Sequence, residues 1–331
     1  MHDVDASFYL LGALEEAKRY HAGIDEPHSV SVGAFVVLNQ NIIARGFYRG
    51  PGTSHAEVDA IKQLPPEHRD QMTLYVTLEP CNHHGNTPPC THAIIESGIK
   101  RVVFAFKDPN PHVQGQGMQA LLHQGIQVQH VLVPEINDFY APYAHGVCTG
   151  MPWIHLKQAA CKQTGLMGDK HKRILLTGPE AQAWTMQERA KADAILTSTT
   201  TIVVDDPMMT VRSHTNDHQS SPPLIICGRS ALTDDHKAFQ YTRPIIRIET
   251  DLKTHLQALY VRGYRRIWME SGPKLAADML AKGLIQRLTV IYSPKVMMTT
   301  TPIYLAQYHH PVLQQAPLGK DVRFEYDLGA I

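Results

Sequence analysis

One histidine and two cysteines in residues 55–90 place the strongest constraint on how this chain folds. His55 begins a segment with helical spacing, and Cys81 follows the apolar, β-branched run 72–78, which predicts a strand. Cys90 begins a second helical segment, 90–98. The positive end of that second helix favours a thiolate at Cys90. Helices that alternate with buried strands predict a layered α/β domain, and these three residues predict a metal site within it.

The types of residue in this set indicate zinc and a hydrolytic reaction. One histidine and two cysteines hold zinc in the zinc deaminases, and water takes the fourth position. The metal lowers the pKa of that water to roughly 7. A glutamate two residues after the histidine accepts the proton of the water and donates one to the leaving ammonia. The sequence predicts His55, Cys81 and Cys90 as ligands and Glu57 as the proton shuttle.

A structural zinc site is the main alternative. His-x-Glu triplets occur often by chance, and the two cysteines could form a zinc knuckle with a nearby histidine, namely His83, His84 or His92. The occurrence of all three pieces, each beside the expected helix or strand, favours the catalytic site. The spacing between Cys81 and Cys90 is wider than the Cys-x-x-Cys of the general deaminase signature.

The length and the pattern of elements indicate two domains. The chain has 331 residues, more than one compact core usually holds. Helices alternate with strands in the first part, and a new series of strands begins after it, so we expect a zinc-dependent deaminase domain in 1–148 and a second α/β domain in 149–331. The second part shows strand patterns at 152–160, 193–197, 223–228, 244–249, 265–270 and 287–293 and helical patterns at 179–190 and 273–282.

The composition narrows the partners and the compartment. The formal net charge is +0, so no overall basic field attracts nucleic acid. No apolar run of about 18 residues predicts a membrane span, and the N-terminus does not resemble a signal peptide. Five cysteines, few and mostly far apart, do not form a disulfide framework. We expect a cytoplasmic enzyme that acts on a small molecule, without a nucleic-acid or membrane partner.

The deaminase motif resembles that of one family, the RibD proteins of riboflavin biosynthesis. Residues 77–90, TLEPCNHHGNTPPC, carry the HxGxTPPC insertion that this family places between its two cysteines, and 108–117 are similar to its DPNPxVxGxG segment. The resemblance implies a cytidine-deaminase-like three-layer α/β/α domain. It also implies removal of the 2-amino group of a diaminopyrimidinone ribosylamino phosphate. The implied substrate contacts are Asp108, Asn110 and three positions where usual family residues are replaced, Ser29, Tyr48 and Asn86.

The second half also resembles the RibD family. Residues 176–180 (LTGPE), 188–195 (ERAKADAI) and 205–212 (DDPMMTVR) are similar to its ITGxEA, LRAxxDAI and DDPxLTVR segments. The resemblance implies a homo-oligomer and a dihydrofolate-reductase-like α/β domain that reduces the ribosyl group to ribityl with NADPH. The implied substrate contacts are Lys157, Thr177, Arg189, Asp205 and Arg212, and the implied NADPH contacts are Thr201, Glu270 and Gly272.

The reductase half departs from the family at several turns. The SLDG segment reads CKQTG at 161–165, and the VGxxT turn reads TSTTT at 197–201. A Cβ in place of a glycine obstructs the approach of a phosphate to the backbone. Three interpretations stay open: an enzyme with both activities, a deaminase whose reductase domain is an inactive scaffold, or a paralogue that deaminates a different nucleobase or nucleotide.

Overall fold

The computed structural model describes residues 3–19, 30–83, 88–110, 114–169, 174–212, 221–296, 302–304 and 311–329. The chain divides into two compact units, Met1–Gly150 and Met151–Ile331. The boundary predicted from the sequence, between residues 148 and 149, falls inside the last helix of the first unit. No helix in the described ranges has the length and apolar character needed to cross a bilayer.

The first unit alternates helices and strands. Its elements in the described residues are α1 (Asp3–Ala17), β1 (Gly33–Leu38), β2 (Asn41–Phe47), α2 (Ala56–Ile61), β3 (Thr73–Leu78), α3 (Cys90–Ser97), β4 (Arg101–Phe106), α4 (Gln116–His123), β5 (Gln127–His130) and α5 (Pro134–Thr149). Sequence patterns predict all of them except α5: helices over 6–20, 55–64, 90–98 and near 117–124, and strands over 30–38, 41–47, 72–78, 101–106 and 126–133. The hairpin turn between β1 and β2 lies at Asn39–Gln40, both with positive φ, whereas the sequence predicts it at Gln40–Asn41.

The five strands form one sheet with a hydrophobic core on each face. Their order is β2-β1-β3-β4-β5, with β1 antiparallel to both neighbours and β3, β4 and β5 parallel. Because side chains alternate along β1, Phe35 packs in a core with residues of α1 and α5, such as Leu10 and Tyr140. Val36 packs in the other core, which includes Ile94 of α3. The predicted three-layer α/β/α arrangement is confirmed.

Two glycines fix the helices on this sheet. A Cβ built on Gly33 would lie 1.8 Å from the carbonyl oxygen of Ala13 in α1. A Cβ built on Gly46 would lie 2.0 Å from the carbonyl oxygen of Ala56, the first residue of α2. The backbone of each helix therefore rests directly on a strand. This contact fixes the start of α2, where His55 and Glu57 lie, against β2.

The second unit contains a larger, mixed sheet. Its elements in the described residues are β6 (Trp153–Cys161), β7 (Leu166–Asp169), α6 (Pro179–Ala190), β8 (Ala194–Ser198), α7 (Thr199–Asp205), β9 (Leu224–Cys227), β10 (Ile245–Ile248), α8 (Leu252–Val261), β11 (Arg266–Glu270), α9 (Pro273–Ala281), β12 (Arg287–Ser293), β13 (Pro302–Tyr304), β14 (Val312–Leu318) and β15 (Asp321–Asp327). The sequence did not predict α7, α8 or the four strands β7, β13, β14 and β15.

The order of the eight-stranded sheet is β10-β9-β8-β11-β6-β12-β15-β14. The first six strands in this order, β10, β9, β8, β11, β6 and β12, are parallel to one another. β15 is antiparallel to β12, and β14 is antiparallel to β15. The register pairs Lys157 of β6 with Glu270 of β11, so both side chains lie on the same face. The parallel strands also end at one edge of the sheet, where α7 and α9 begin.

Candidate functional site

The three predicted metal ligands lie where helices begin or a strand has just ended. His55 occupies the position before α2 with extended backbone, φ −62° and ψ 160°. Cys81 follows the end of β3, and Cys90 is the first residue of α3. Pro89 precedes that helix with φ −56°, close to the helical value that proline imposes. Local sequence therefore sets the direction in which each ligand side chain leaves the backbone.

The ligand atoms converge to the dimensions of a tetrahedral zinc site. His55 Nδ1 lies 3.1 Å from Cys90 Sγ and 3.6 Å from Cys81 Sγ, and all three atoms lie within 4.8 Å of one another. Ligands on tetrahedral zinc, with Zn–S near 2.3 Å and Zn–N near 2.0 Å, are separated by about 3.5 Å. Two thiol sulfurs and one imidazole nitrogen are also ligands that zinc prefers. The residues present thus fit this metal.

The protonation of the cluster also suits a cation. A hydrogen bond from the Cys90 thiol, together with those from His55 and the Cys90 N–H, lowers the pKa of Cys81 to about 4. The pKa of Cys90 is raised, because its thiol shares a proton with Cys81 and is buried. The hydrogen bond with Cys81 raises the pKa of His55. A Cys81 thiol with so low a pKa readily gives the thiolate, which is the form that binds metal.

Glu57 lies in the first turn of α2, beside the ligands. Its side chain is 4% exposed. Burial, and then the charge of Cys81, raise the pKa of its carboxyl to about 7, and the carboxyl hydrogen-bonds to Cys90. A carboxyl with a pKa near neutrality can both accept and donate a proton at physiological pH. Nothing in the metal cluster itself requires this fourth titratable group.

The structure places three of the five predicted substrate contacts of the first unit. The ring of Tyr48 lies edge-on to that of His55, with centroids 5.5 Å apart. Asp108 is buried, which raises the pKa of its carboxyl, and its Oδ1 accepts a hydrogen bond from Asn110 N–H at 2.9 Å. Ser29 and Asn86 lie outside the described residues.

Two tyrosines that sequence reasoning missed contact residues at or near the predicted substrate contacts. Both belong to α5. Tyr143 Oη lies 3.5 Å from Asp108 Oδ1 and is the donor to it. The Tyr140 hydroxyl donates to the Ser31 carbonyl oxygen at 2.9 Å and contacts Thr77 Oγ1 at 2.6 Å. Pro134 at the first helical position and the buried residues that follow it at helical spacing were the signal for this helix.

In the second unit, the structure brings three predicted residues into one charged cluster. Arg189 Nε donates to Glu270 Oε1 at 2.6 Å, and Trp268 Nε1 donates to the same oxygen at 2.7 Å. Burial would raise the pKa of Glu270, but the charges of Arg189 and Lys157 outweigh it and lower that pKa to about 2. Burial lowers the pKa of Lys157. Glu270, predicted to contact the cofactor, thus pairs with Arg189, predicted to contact the substrate.

The two remaining predicted cofactor contacts meet at the carboxyl edge of the parallel strands. Gly272 N–H donates to Thr201 Oγ1 at 3.2 Å, and Thr201 N–H donates to Ser198 Oγ at 3.1 Å. A Cβ built on Gly272 would meet no atom of the described residues within 4 Å, so the start of α9 faces open space. Of the other predicted substrate contacts, Thr177 is buried, Asp205 is half-buried at the end of α7 and Arg212 is exposed.

Both halves of the chain match known protein families. Residues 5–106, which contain all three ligands and Glu57, match the zinc-binding region of cytidine and deoxycytidylate deaminases. Residues 163–312 match the RibD C-terminal domain. The riboflavin biosynthesis protein RibD of Escherichia coli is 31% identical over 326 residues, which cover 88% of this chain and 88% of the relative. The chain belongs to the RibD family.

Other RibD proteins extend this result. RibD of Aquifex aeolicus is 31% identical over 320 residues, 90% of this chain and 89% of its own length. The solved deaminase/reductase of Thermotoga maritima superposes with a TM-score of 0.79 at 28% identity over 99% of both chains. RibD of Acinetobacter baumannii gives 0.76 at 27% identity over 98% of this chain and 99% of its own. The predicted family and fold class are confirmed: this is a RibD enzyme with a zinc-dependent deaminase domain and an NADPH-dependent reductase domain.

Proposed function

We propose that this RibD chain performs both family reactions through the residues assigned below. The first is hydrolytic deamination of a diaminohydroxyphosphoribosylaminopyrimidine, and the second is reduction of the resulting 5-amino-6-(5-phosphoribosylamino)uracil. The observation that carries the proposal is the convergence of His55, Cys81 and Cys90 beside the buried carboxyl of Glu57. A structural zinc site has no use for a proton shuttle with a pKa near neutrality.

The deaminase residues divide the work between holding the metal and moving a proton. His55, Cys81 and Cys90 would hold zinc, which supplies a Lewis acid that makes water nucleophilic near pH 7. Glu57 takes a proton from the attacking water at a carboxylate oxygen. The water oxygen bonds to the amino-bearing ring carbon. Glu57 then donates the proton to the amino nitrogen, and the carbon–nitrogen bond breaks so that ammonia departs.

Tyr48, Asp108 and Asn110 form the proposed substrate side of this site, together with Ser29 and Asn86. The Tyr48 ring lies against the ring of the ligand His55, so it can contact a substrate ring near the metal. Asp108 and Asn110 are joined by a hydrogen bond, and their loop can offer polar groups to the ribose or phosphate. Asn86 lacks the positive charge that phosphate recognition favours, so other groups carry that role here.

The reductase site is proposed at the carboxyl edge of the second sheet. Thr201 and Gly272 would hold NADPH at the N-terminal end of α9, where the helix dipole suits phosphate and Gly272 leaves open space. Bound NADPH supplies a hydride for the ribosyl group. Lys157 and Arg189, held by Glu270, would form the substrate side with Thr177, Asp205 and Arg212. Glu270, which the sequence predicts beside the cofactor, would also orient these cations through its bond with Arg189.

We also propose that the protein is a cytoplasmic homo-oligomer, as the family resemblance implies. Its partners would be small-molecule substrates rather than nucleic acid or membrane, and a formal net charge of +0 supports the absence of nucleic-acid binding.

One experiment separates the two activities. Wild-type protein supplied with the diaminopyrimidine nucleotide and NADPH should release ammonia and then consume NADPH. Glu57→Gln should do neither with this substrate, because the variant lacks the proton shuttle. Supplied with the aminouracil nucleotide, Glu57→Gln should consume NADPH at the wild-type rate. Ammonia release that survives the substitution would refute the role of Glu57, and NADPH left unused with the aminouracil nucleotide would refute the second activity.

A further inference from the structure

Glu79 makes an unusual set of contacts for a residue that takes no part in the proposed chemistry. It lies after the end of β3, two positions before the ligand Cys81, and its side chain is 3% exposed. Its backbone N–H donates to the carbonyl oxygen of Phe106 at 2.8 Å, which ties it to the end of β4. A buried carboxylate needs hydrogen-bond donors to offset its desolvation. Both oxygens of Glu79 find them at the start of α4.

The carboxylate caps a helix that lacks a cap of its own. Oε2 accepts from Gly115 N–H at 3.1 Å, and Oε1 accepts from Met118 N–H at 3.1 Å. Gly115 is the residue before α4, and Met118 is its third residue. These are the two donors that the side chains of a capping box satisfy, but glycine and methionine offer no acceptor. Glu79, distant in sequence, therefore satisfies both N–H groups, and its charge favours the helix N-terminus.

A second contact, made by backbone, fixes the same helix against the same segment. A Cβ built on Gly117 would lie 1.9 Å from the carbonyl oxygen of Pro80. The first turn of α4 therefore lies directly on the peptide that joins Glu79 to Cys81. Two independent contacts, one electrostatic and one steric, hold α4 to the segment that leads to the metal ligand.

The loop between β4 and α4 carries the proposed substrate contacts Asp108 and Asn110. One end of this loop is set by the end of β4, to which Glu79 is bonded through its backbone. The other end is Gly115, to which Glu79 is bonded through its side chain. We propose that Glu79 is a positioning residue that holds the 108–110 loop at a fixed distance from the zinc ligand Cys81. A substrate bound by this loop then lies at the correct distance from the metal.

This inference rests on the proposed function, because it assigns a role within the proposed deaminase site. Glu79→Gln removes the charge and leaves one acceptor oxygen, so the amide NH₂ faces a backbone N–H. We expect the variant to keep its zinc and a kcat within about threefold of wild type, while KM for the diaminopyrimidine nucleotide rises about tenfold, since a displaced binding loop weakens substrate binding. In wild type, the Gly115 and Met118 amides should exchange hydrogen slowly, and in Glu79→Gln they should exchange faster.

A rescue variant distinguishes positioning from simple stabilisation. Gly115 has φ +75°, and a side chain there would meet no atom of the described residues within 4 Å. Aspartate adopts this conformation with less strain than most residues and can accept from the third helical N–H. Glu79→Gln/Gly115→Asp should therefore recover Tm but not KM, because α4 is capped again while its link to Glu79 stays broken. If Glu79→Gln folds poorly, the KM of this double variant tests the proposal by itself.

The control is Ser97→Ala, which removes buried hydrogen bonds at the far end of α3, to Ile94 and Ile99. It should lower Tm without changing KM. Equal KM values for Glu79→Gln and Ser97→Ala would overturn the proposal, as would a double variant in which KM recovers together with Tm. A wild-type protein that releases no ammonia would refute the proposed function instead, and the role of Glu79 would then be decided by whether the two amides lose their slow exchange.

Discussion

His155 makes the stability of the second unit dependent on pH. Its side chain is 2% exposed and lies between the rings of Trp153 and Trp268, with centroids 5.6 and 4.7 Å away. Nε2 is 2.8 Å from Thr289 Oγ1, and Nδ1 has no hydrogen-bond partner in the described part of the chain. Burial, and then the charges of Arg266, Arg287, Arg323 and Lys191, lower the pKa of this ring well below 6.5.

The lowered pKa of His155 makes the second unit less stable as the pH falls. The unfolded chain binds a proton at His155 with a pKa near 6.5, while the folded chain keeps the ring neutral. Its stabilising contribution is therefore complete above pH 6.5 and is lost as the pH falls below that value. For a ring that stays neutral in the folded state, lowering the pH from 7.5 to 5.0 reduces the free energy of unfolding by about 2 kcal/mol.

Tryptophan fluorescence reads this unit selectively, because all three tryptophans, Trp153, Trp184 and Trp268, lie in residues 151–331. Urea unfolding followed at pH 7.5 and pH 5.0 gives the loss of stability for each variant. His155→Gln should lose about 2 kcal/mol less than wild type. His255→Gln, whose ring is exposed on α8, should lose as much as wild type. Equal losses for His155→Gln and wild type would refute the reasoning, because the titrating group would then lie elsewhere.

Two further predictions concern the charged cluster and the metal. Glu270→Gln should lower the free energy of unfolding of the second unit by about 3 kcal/mol, because it leaves the buried charge of Arg189 without its counter-charge. Asp278→Asn, which breaks an exposed pair with Lys282, should change that free energy by less than about 1 kcal/mol. Similar losses for the two variants would contradict the importance assigned to the buried pair. Cys81→Ser should weaken zinc binding by more than about a hundredfold in a chelator competition, since loss of a group that only orients a ligand can already weaken binding by up to about a hundredfold. The control Cys148→Ser, at an exposed cysteine, should bind zinc like wild type. Tight zinc binding by Cys81→Ser would contradict the ligand set.

Several structural elements could not be predicted from local sequence. The run TTTIVVD of α7 is β-branched and apolar and favours a strand, yet it forms a helix whose N-cap is Ser198. Helix α5 was not predicted because it contains Pro142, and a proline inside a pattern usually indicates the end of a helix. The β14–β15 hairpin depends on pairing with β12, which is distant in sequence.

The sequence alone determined the metal chemistry and the order of most elements. His55, Glu57, Cys81 and Cys90 are recognisable because zinc chemistry demands particular atoms, and each lies beside a helix start or strand end that local pattern reveals. The buried strands are equally readable, since alternating or continuous apolar residues show which faces are covered.

Only the tertiary structure decided which charges meet and what supports the site. The pairing of Lys157 with Glu270 depends on strand register, and a shift of one residue would send one of them to the other face. The capping of α4 by Glu79 joins residues distant in sequence through two backbone N–H groups, which every residue except proline possesses. Such contacts leave no pattern in the sequence, because one partner is backbone and the distance between the two is set by the fold.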